Sequence, residues 1–196
     1  MIKSLACLKD ADIALLTLDI SEPITHEEAR LAQEIIDNKK SLIIVANKWD
    51  KITNHDPKEF SALVYDRLPF IKFAPLVFVS AKTGAKVQKI LDLILEVGQD
   101  RAITLSPSQL NHRLAQIVKY QPPTQGRGLK HPHIYTLSQV KTNPPIFTVT
   151  LGPKDNLQPA YLRYIQNEIR KSYGFLGTPI TIRINHRRSS KPPELS

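Results

Sequence analysis

The sequence predicts an α/β module built on a parallel sheet, followed by a small α+β domain. Three observations point there. Short apolar runs alternate with amphipathic helical patterns up to about Gly98. Beyond Gln99 the pattern changes to one helix, two strands, a second helix and a last strand. Charge changes at the same place: residues 1–98 carry 13 Lys and Arg against 14 Asp and Glu, and residues 99–196 carry 14 against 4. The second half thus holds a net +10 within a chain of formal charge +9, which suits a polyanionic partner, the alternative being a solvated basic surface.

In the first half, Ile13–Leu18 is a continuous apolar run, as in a strand buried on both faces. Thr25 and Glu28 form a capping box that opens a helix to about Asn38, with Ala29, Ala32, Ile35 and Ile36 on one face. Leu42–Ala46 is the second strand. Asp56, Pro57 and Glu59 fit the cap, first and third positions of another helix. Leu76–Val79 is the third strand, and Val87, Ile90, Leu91 and Ile94 mark the apolar stripe of a helix ending near Gly98. Strands and helices in this order imply a parallel sheet with right-handed crossovers.

In the second half, Ser106 or Ser108 can cap a helix to about Tyr120, which Pro122 and Pro123 end. Strands follow at Ile134–Lys141 and Ile146–Leu151; in the latter Phe147, Val149 and Leu151 alternate with Thr148 and Thr150, so one face is buried. Leu162, Ile165 and Ile169 mark a helix from about Pro159 to Tyr173, with Gly174 as its stop, and Ile180–Ile184 is a last strand. The domains are set at 1–98, 99–185 and a flexible basic tail, 186–196, that includes Arg187, Arg188 and Lys191.

At 196 residues and 41% hydrophobic composition the chain can bury one or two cores. No apolar stretch approaches the ~18 residues of a membrane span, and Lys9, Asp10 and Asp12 end the apolar start too early for a secretory signal. The one cysteine, Cys7, excludes an internal disulfide framework and suits a reducing cytoplasm; it reads as a packed side chain.

Two loops carry the chemistry. Asn47-Lys48-Trp49-Asp50 follows the second strand and Ser80-Ala81-Lys82 the third, so both lie on the rim where open parallel sheets bind ligands. Together they suit a guanine base. The Asp50 carboxylate matches the adjacent N1–H and exocyclic amine of guanine, whereas adenine would leave it unpaired, a mismatch that rejects the wrong ligand by roughly 10⁴–10⁵. Asn47 would brace the loops, and the stems of Lys48 and Lys82 would cover the two faces of the ring. The Ala81 and Lys82 amides would meet the guanine carbonyl, with Ser80 tying its loop back.

These residues resemble the last two guanine motifs of translation-factor-like GTPases. The run from Asp10 to Thr25 (DADIALLTLDISEPIT) resembles the second G domain of the Der (EngA) family. The second module is similar to that family's KH-like domain at Gly126–Lys130 (GRGLK), Thr142–Pro145 (TNPP), Tyr161–Tyr164 (YLRY) and Tyr173–Ile180 (YGFLGTPI). The resemblance implies a partial P-loop-type G domain whose first strands are missing, then a KH-like domain. It implies GTP or GDP as ligand, with Mg²⁺ in the full-length protein only. Its implied partners are an upstream G domain and the large ribosomal subunit with its rRNA.

A phosphate loop requires Gly-x-x-x-x-Gly-Lys-Ser/Thr, and none of the seven glycines has another five residues away. No Asp lies three residues before a glycine either, so the metal-proximal switch is missing. A fragment is expected, without GTP hydrolysis and with the first strand as an unpaired edge. Gly174-Phe-Leu-Gly177 has the letters of a KH backbone clamp but apolar interior residues, so a helix stop and packed turn is favoured. Arg127, Lys130, Lys141, Arg183 and the tail are the dispersed candidates for RNA contact. His131 and His133 lack nearby ligand partners for zinc. Two further readings are an Era-like GTPase with a true KH domain, and a non-enzymatic RNA-binding module carrying a G-domain remnant.

Overall fold

The computed structural model describes residues 8–53, 56–124 and 131–187. Cys7, Arg127, Lys130, the Gly126–Lys130 motif, Arg188 and Lys191 lie outside the described residues. Two compact units are present: residues 1–103 with Phe175–Pro179, and residues 104–174 with 180–196.

The first unit holds β1 (Ile13–Asp19), α1 (His26–Asp37), β2 (Ser41–Asn47), α2 (Pro57–Arg67), β3 (Leu76–Phe78) and α3 (Gln88–Arg101). Its sheet is parallel, in the order β1-β2-β3. Local chemistry starts the helices. Thr25 and Glu28 form the full capping box of α1, and the Asp56 carboxylate accepts from the Lys58 N–H ahead of Pro57.

Two cores cover the two faces of β2. On one, Leu42, Ile44 and Ala46 pack with Ala32 and Ile35 of α1 and Val64 of α2. On the other, Ile43 and Val45 pack with Val77, Val79 and Val97, joined by Ile90, Leu93 and Ile94 of α3.

The first strand departs from expectation. Leu15 is 44% exposed, so β1 is not buried on both faces. Among the described residues β1 ends the sheet, and α3 covers mainly its neighbours.

Helix α3 also differs in extent and phase. Leu91 and Val87, expected on the apolar stripe, are exposed; the inward face is Ile90, Leu93, Ile94 and Val97, the i, i+3, i+4, i+7 set. The helix continues past Gly98 because its last turn is docked by Arg101. That guanidinium is buried and donates to the Lys39 carbonyl, to Ser41 Oγ and to the Asp12 carboxylate at 3.2, 3.1 and 3.3 Å.

Phe175–Pro179 lies in the chain within the span of the second unit, yet it completes the first unit. Leu42 N–H donates to the Gly177 carbonyl at 2.7 Å, Gly177 N–H to the Phe73 carbonyl at 2.9 Å, and Ser41 and Thr178 hydroxyls meet at 2.9 Å. Leu176 N–H donates to the Asp100 carboxylate, and Phe175 is fully buried.

The second unit contains α4 (Pro107–Tyr120), β4 (Ile134–Lys141), β5 (Ile146–Leu151), α5 (Pro159–Tyr173) and β6 (Thr181–His186). Its sheet runs β4-β5-β6, with β4 antiparallel and β6 parallel to β5. Ser106, not Ser108, caps α4, in a capping box with Gln109. Leu110, Leu114 and Ile117 of α4, Tyr161, Ile165 and Ile169 of α5, and Leu137, Phe147, Val149 and Leu151 of the sheet are buried. His186 and Arg187, expected in a flexible tail, are held to the sheet. Arg187 N–H donates to the Leu151 carbonyl at 3.0 Å and its guanidinium sits 4.5 Å over the Tyr135 ring.

Gly177 has φ +63, and a Cβ there would stand 2.8 Å from Val97 Cγ2 and 2.9 Å from the Leu42 carbonyl oxygen. Gly177→Ala therefore combines left-handed strain with a clash against backbone. Chemical denaturation is expected to show a loss of about 2–4 kcal/mol, and an unchanged midpoint would contradict this packing.

Candidate guanine-binding site

Because β1, β2 and β3 run parallel, their carboxyl ends share one rim. Asn47 ends β2 and pairs in register with Asp19 at the end of β1. The chain then turns: Lys48 adopts the left-handed conformation (φ 65) and Trp49–Lys51 forms a short 3₁₀ turn. Trp49 anchors the turn. It is buried, edge-on to Phe60 at 5.2 Å and tilted on Phe78 at 4.3 Å. With the indole pinned inward, its neighbours Lys48 and Asp50 are left exposed.

The second loop leaves β3 and folds onto the first. Trp49 N–H donates to the Val79 carbonyl at 3.1 Å. Asn47 Oδ1 accepts from the Ala81 N–H at 3.0 Å. The Ser80 hydroxyl, only 2% exposed, donates to an Asp50 carboxylate oxygen and accepts from the Thr83 N–H at 3.2 Å. Five of the six residues singled out by sequence, Asn47, Lys48, Asp50, Ser80 and Ala81, are thus fixed within one hydrogen-bonded or adjacent set, and exposed Lys82 follows directly.

One expectation is corrected. The Ala81 amide, expected to face a ligand carbonyl, donates to Asn47, because Asn47 closes the two loops against each other. The sequence reading also missed Asp19. Its carboxylate receives the Lys48 ammonium, aligning a side chain expected to lie across the base. The available signal was the position of Asp19 at the end of the first apolar run.

The electrostatics follow from these pairs. The hydrogen bond from Lys48, with help from Ser21, holds the Asp19 carboxyl down at about 2, and Asp19 raises Lys48 in return. The Ser80 hydroxyl, and then the charges of Lys82 and Lys51, keep Asp50 below the usual carboxylate range. Asp50 is therefore ionised at neutral pH. A carboxylate offers about four acceptor positions, so the Ser80 hydrogen bond leaves it able to accept from two adjacent donors on a ligand.

Comparison with known proteins assigns both halves of the chain to families. Residues 1–100 match the family model of the elongation factor Tu GTP binding domain. Residues 105–185 match the KH-domain-like of EngA bacterial GTPase enzymes, C-terminal. The chain belongs to the Der (EngA) family. It is 35% identical over 184 residues to GTPase Der of Chloroflexus aggregans, covering 93% of this chain and 41% of that protein. GTPase Der of Thermoanaerobacter sp. (strain X514) is 35% identical over 189 residues, covering 95% and 43%. The chain thus spans about two-fifths of the length of these curated relatives. Among solved structures, Era in complex with MgGDPNP and nucleotides 1506–1542 of 16S ribosomal RNA aligns at TM-score 0.42 and 22% identity, covering 95% of this chain and 68% of that one. At that level neither its arrangement nor its RNA transfers to this member of the Der family.

Among the described residues, no group of three His, Cys, Asp or Glu could hold a metal ion. His131 Nδ1 instead pairs with the Pro123 carbonyl at 2.9 Å, and the His133 ring packs on Tyr135. No described helix is long and apolar enough to cross a membrane.

The Asp19–Lys48 pair sets a pH dependence. A carboxyl whose folded value lies below its unfolded value stabilises the fold above about pH 4, and that contribution is lost as pH falls toward 2. Carbon-detected NMR titration is expected to give Asp19 a midpoint near 2, rising toward 3.8 in Lys48→Met, where the Ser21 hydrogen bonds still hold it below that value. An ordinary midpoint in the unsubstituted protein would remove Asp19 from the site.

Proposed function

We propose that this chain supplies the base-recognising part of a cytoplasmic Der-type GTPase that acts in assembly of the large ribosomal subunit, with a KH-like unit that engages its rRNA. The observation that carries the nucleotide reading is the closure of Asn47-Lys48-Trp49-Asp50 onto Ser80-Ala81-Lys82, which leaves an ionised Asp50 beside two lysines on the rim. Asp50 accepts from the N1–H and amine of guanine. Lys48 and Lys82 flank the ring, and the Lys82 amide meets the guanine carbonyl. The RNA reading draws on the basic second unit and its EngA match.

The chain's residues fit the base of GTP and not its phosphates or Mg²⁺. The sequence contains no phosphate loop, and no carboxylate lies three residues before a glycine. Those groups neutralise and orient the phosphates during transfer, so hydrolysis belongs to a longer protein that supplies them. For these 196 residues alone, a non-enzymatic ribosome-binding module with a G-domain remnant is the second reading. An Era-like reading is disfavoured because Phe175, inside the Gly174–Gly177 letters of a backbone clamp, is fully buried.

Purified residues 1–196 are expected to hydrolyse no GTP above the uncatalysed rate; turnover in a phosphate-release assay would refute the division of labour. In a full-length protein carrying the phosphate loop, Asp50→Asn exchanges an acceptor for a donor. It should shift preference from guanine to xanthine nucleotides by about 10²-fold or more. Equilibrium binding of GDP against XDP reads this shift, and unchanged GDP selectivity would remove Asp50 from base recognition.

A further inference from the structure

Within the second unit, two helices lie side by side and antiparallel, pinned at both ends. The Tyr161 hydroxyl, at the start of α5, donates to the Gln121 carbonyl at the end of α4, at 2.6 Å. The Tyr173 hydroxyl, at the end of α5, donates to the Gln109 carbonyl near the start of α4, at 3.1 Å. Between them opens a concavity of about 680 Å³ lined by Arg113, Gln116, Lys119 and Tyr120 from α4 and by Tyr164, Glu168 and Lys171 from α5. It abuts a second concavity of about 340 Å³ that adds Asn167 and Arg170.

The chemistry of this groove is aromatic and cationic. Tyr120 is 90% exposed, which leaves a flat ring in water at the end of a well-packed helix. Tyr164 is half-buried on the facing helix. Glu168, the one acid in the groove, is already neutralised: it accepts from Arg113 Nη2 at 2.5 Å and from Lys171 Nζ at 2.6 Å. It therefore acts as a floor that aims two cations and leaves the groove net positive. Arg113 Nε is buried without a hydrogen-bond partner among the described residues. Lys119 stands exposed beside Tyr120.

We propose that the groove between α4 and α5 is a binding site for single-stranded RNA, with Tyr120 and Tyr164 as stacking platforms for bases and Arg113, Lys119 and Lys171 as phosphate contacts. The inference rests on the reading above that the basic unit engages rRNA, and it says where and in what form. Exposed rings with interleaved cations are the chemistry that holds unpaired strands, because every base has a face to stack. A duplex hides its base faces and would use the cations alone. The surface differs from the Gly174–Gly177 loop, whose Phe175 is buried, and from the dispersed cations Lys141 and Arg183 on the sheet strands.

The test uses the intact 196-residue chain and a fluorescein-labelled single-stranded oligouridylate of about twelve nucleotides, followed by fluorescence anisotropy. The single strand is expected to bind more tightly than a duplex of equal length. Tyr120→Ala should weaken single-strand binding about tenfold and Tyr120→Phe should retain it. Lys119→Gln should lower the slope of log affinity against log salt by about 0.7. Unchanged binding in Tyr120→Ala, with loss in a Lys141→Gln/Arg183→Gln variant, would overturn the groove and leave the rRNA reading standing. Equal affinity for the duplex would do the same. Displacement of RNA by polyglutamate at equal charge concentration would instead mark an acidic protein surface. Absence of binding to either RNA would overturn both the groove and the rRNA reading.

Discussion

The first unit depends on one strand. From Ser41 to Ala46, β2 is buried throughout, and its alternating side chains supply both cores. A slip of one residue would exchange the two faces and carry Asn47 away from the Ala81 amide. The beginning of the strand is fastened as firmly as its middle. Ser41 joins Arg101 and Thr178 in one polar cluster, while the Leu42 N–H donates to the Gly177 carbonyl. Burial pushes the Arg101 guanidinium down and Asp12 opposes that shift, so removing its buried partners would leave a costly unpaired charge. With its start clamped and its faces filled, β2 delivers Asn47 to a fixed place on the rim.

That precision makes the rim a preorganised surface. The Ser80 hydroxyl, the Asn47 amide and the Asp19 carboxylate each hold another member of the site in place. Trp49, packed between Phe60 and Phe78, ties the whole loop to the core. On the proposed reading, a ligand base would meet groups whose conformational entropy is already lost, which favours discrimination between bases. The two loops close on each other through groups that β2 and β3 deliver, without help from any phosphate loop.

Signals confined to a few residues were legible in the sequence. The capping box at Thr25–Glu28, a serine cap at Ser106 or Ser108 (Ser106 in the fold), the Asp56-Pro57 start, the Gly174 stop and the strand at Ile146–Leu151 each depend on near neighbours, and each is present in the fold. The positions of the two candidate loops were legible because each directly follows an apolar run. What escaped depends on distant partners. Gly98 looked like a stop, but Arg101 keeps α3 going through residues some sixty positions away. Leu91 fitted a helical stripe until the sheet chose Ile90, Ile94 and Val97 instead. Asp19 acquired its role from parallel register with Asn47, 28 positions along the chain.

The Gly174–Gly177 segment shows why motif letters need packing before they imply function. A backbone clamp must present its loop to the ligand, with interior residues in solvent. Here Gly174 caps α5 at φ 87, Phe175 is fully buried and Gly177 is pressed against the Leu42 carbonyl and Val97. The glycines serve the same backbone demands as in a clamp, positive φ and close approach, but the partner is the protein's own sheet. With this loop committed to the first unit, the RNA contact proposed for the second unit would fall to side chains on its helices and strands. The outward faces of α4 and α5 bring aromatic rings and cations together there, and the central strand β5 contributes mainly threonine to its less buried side.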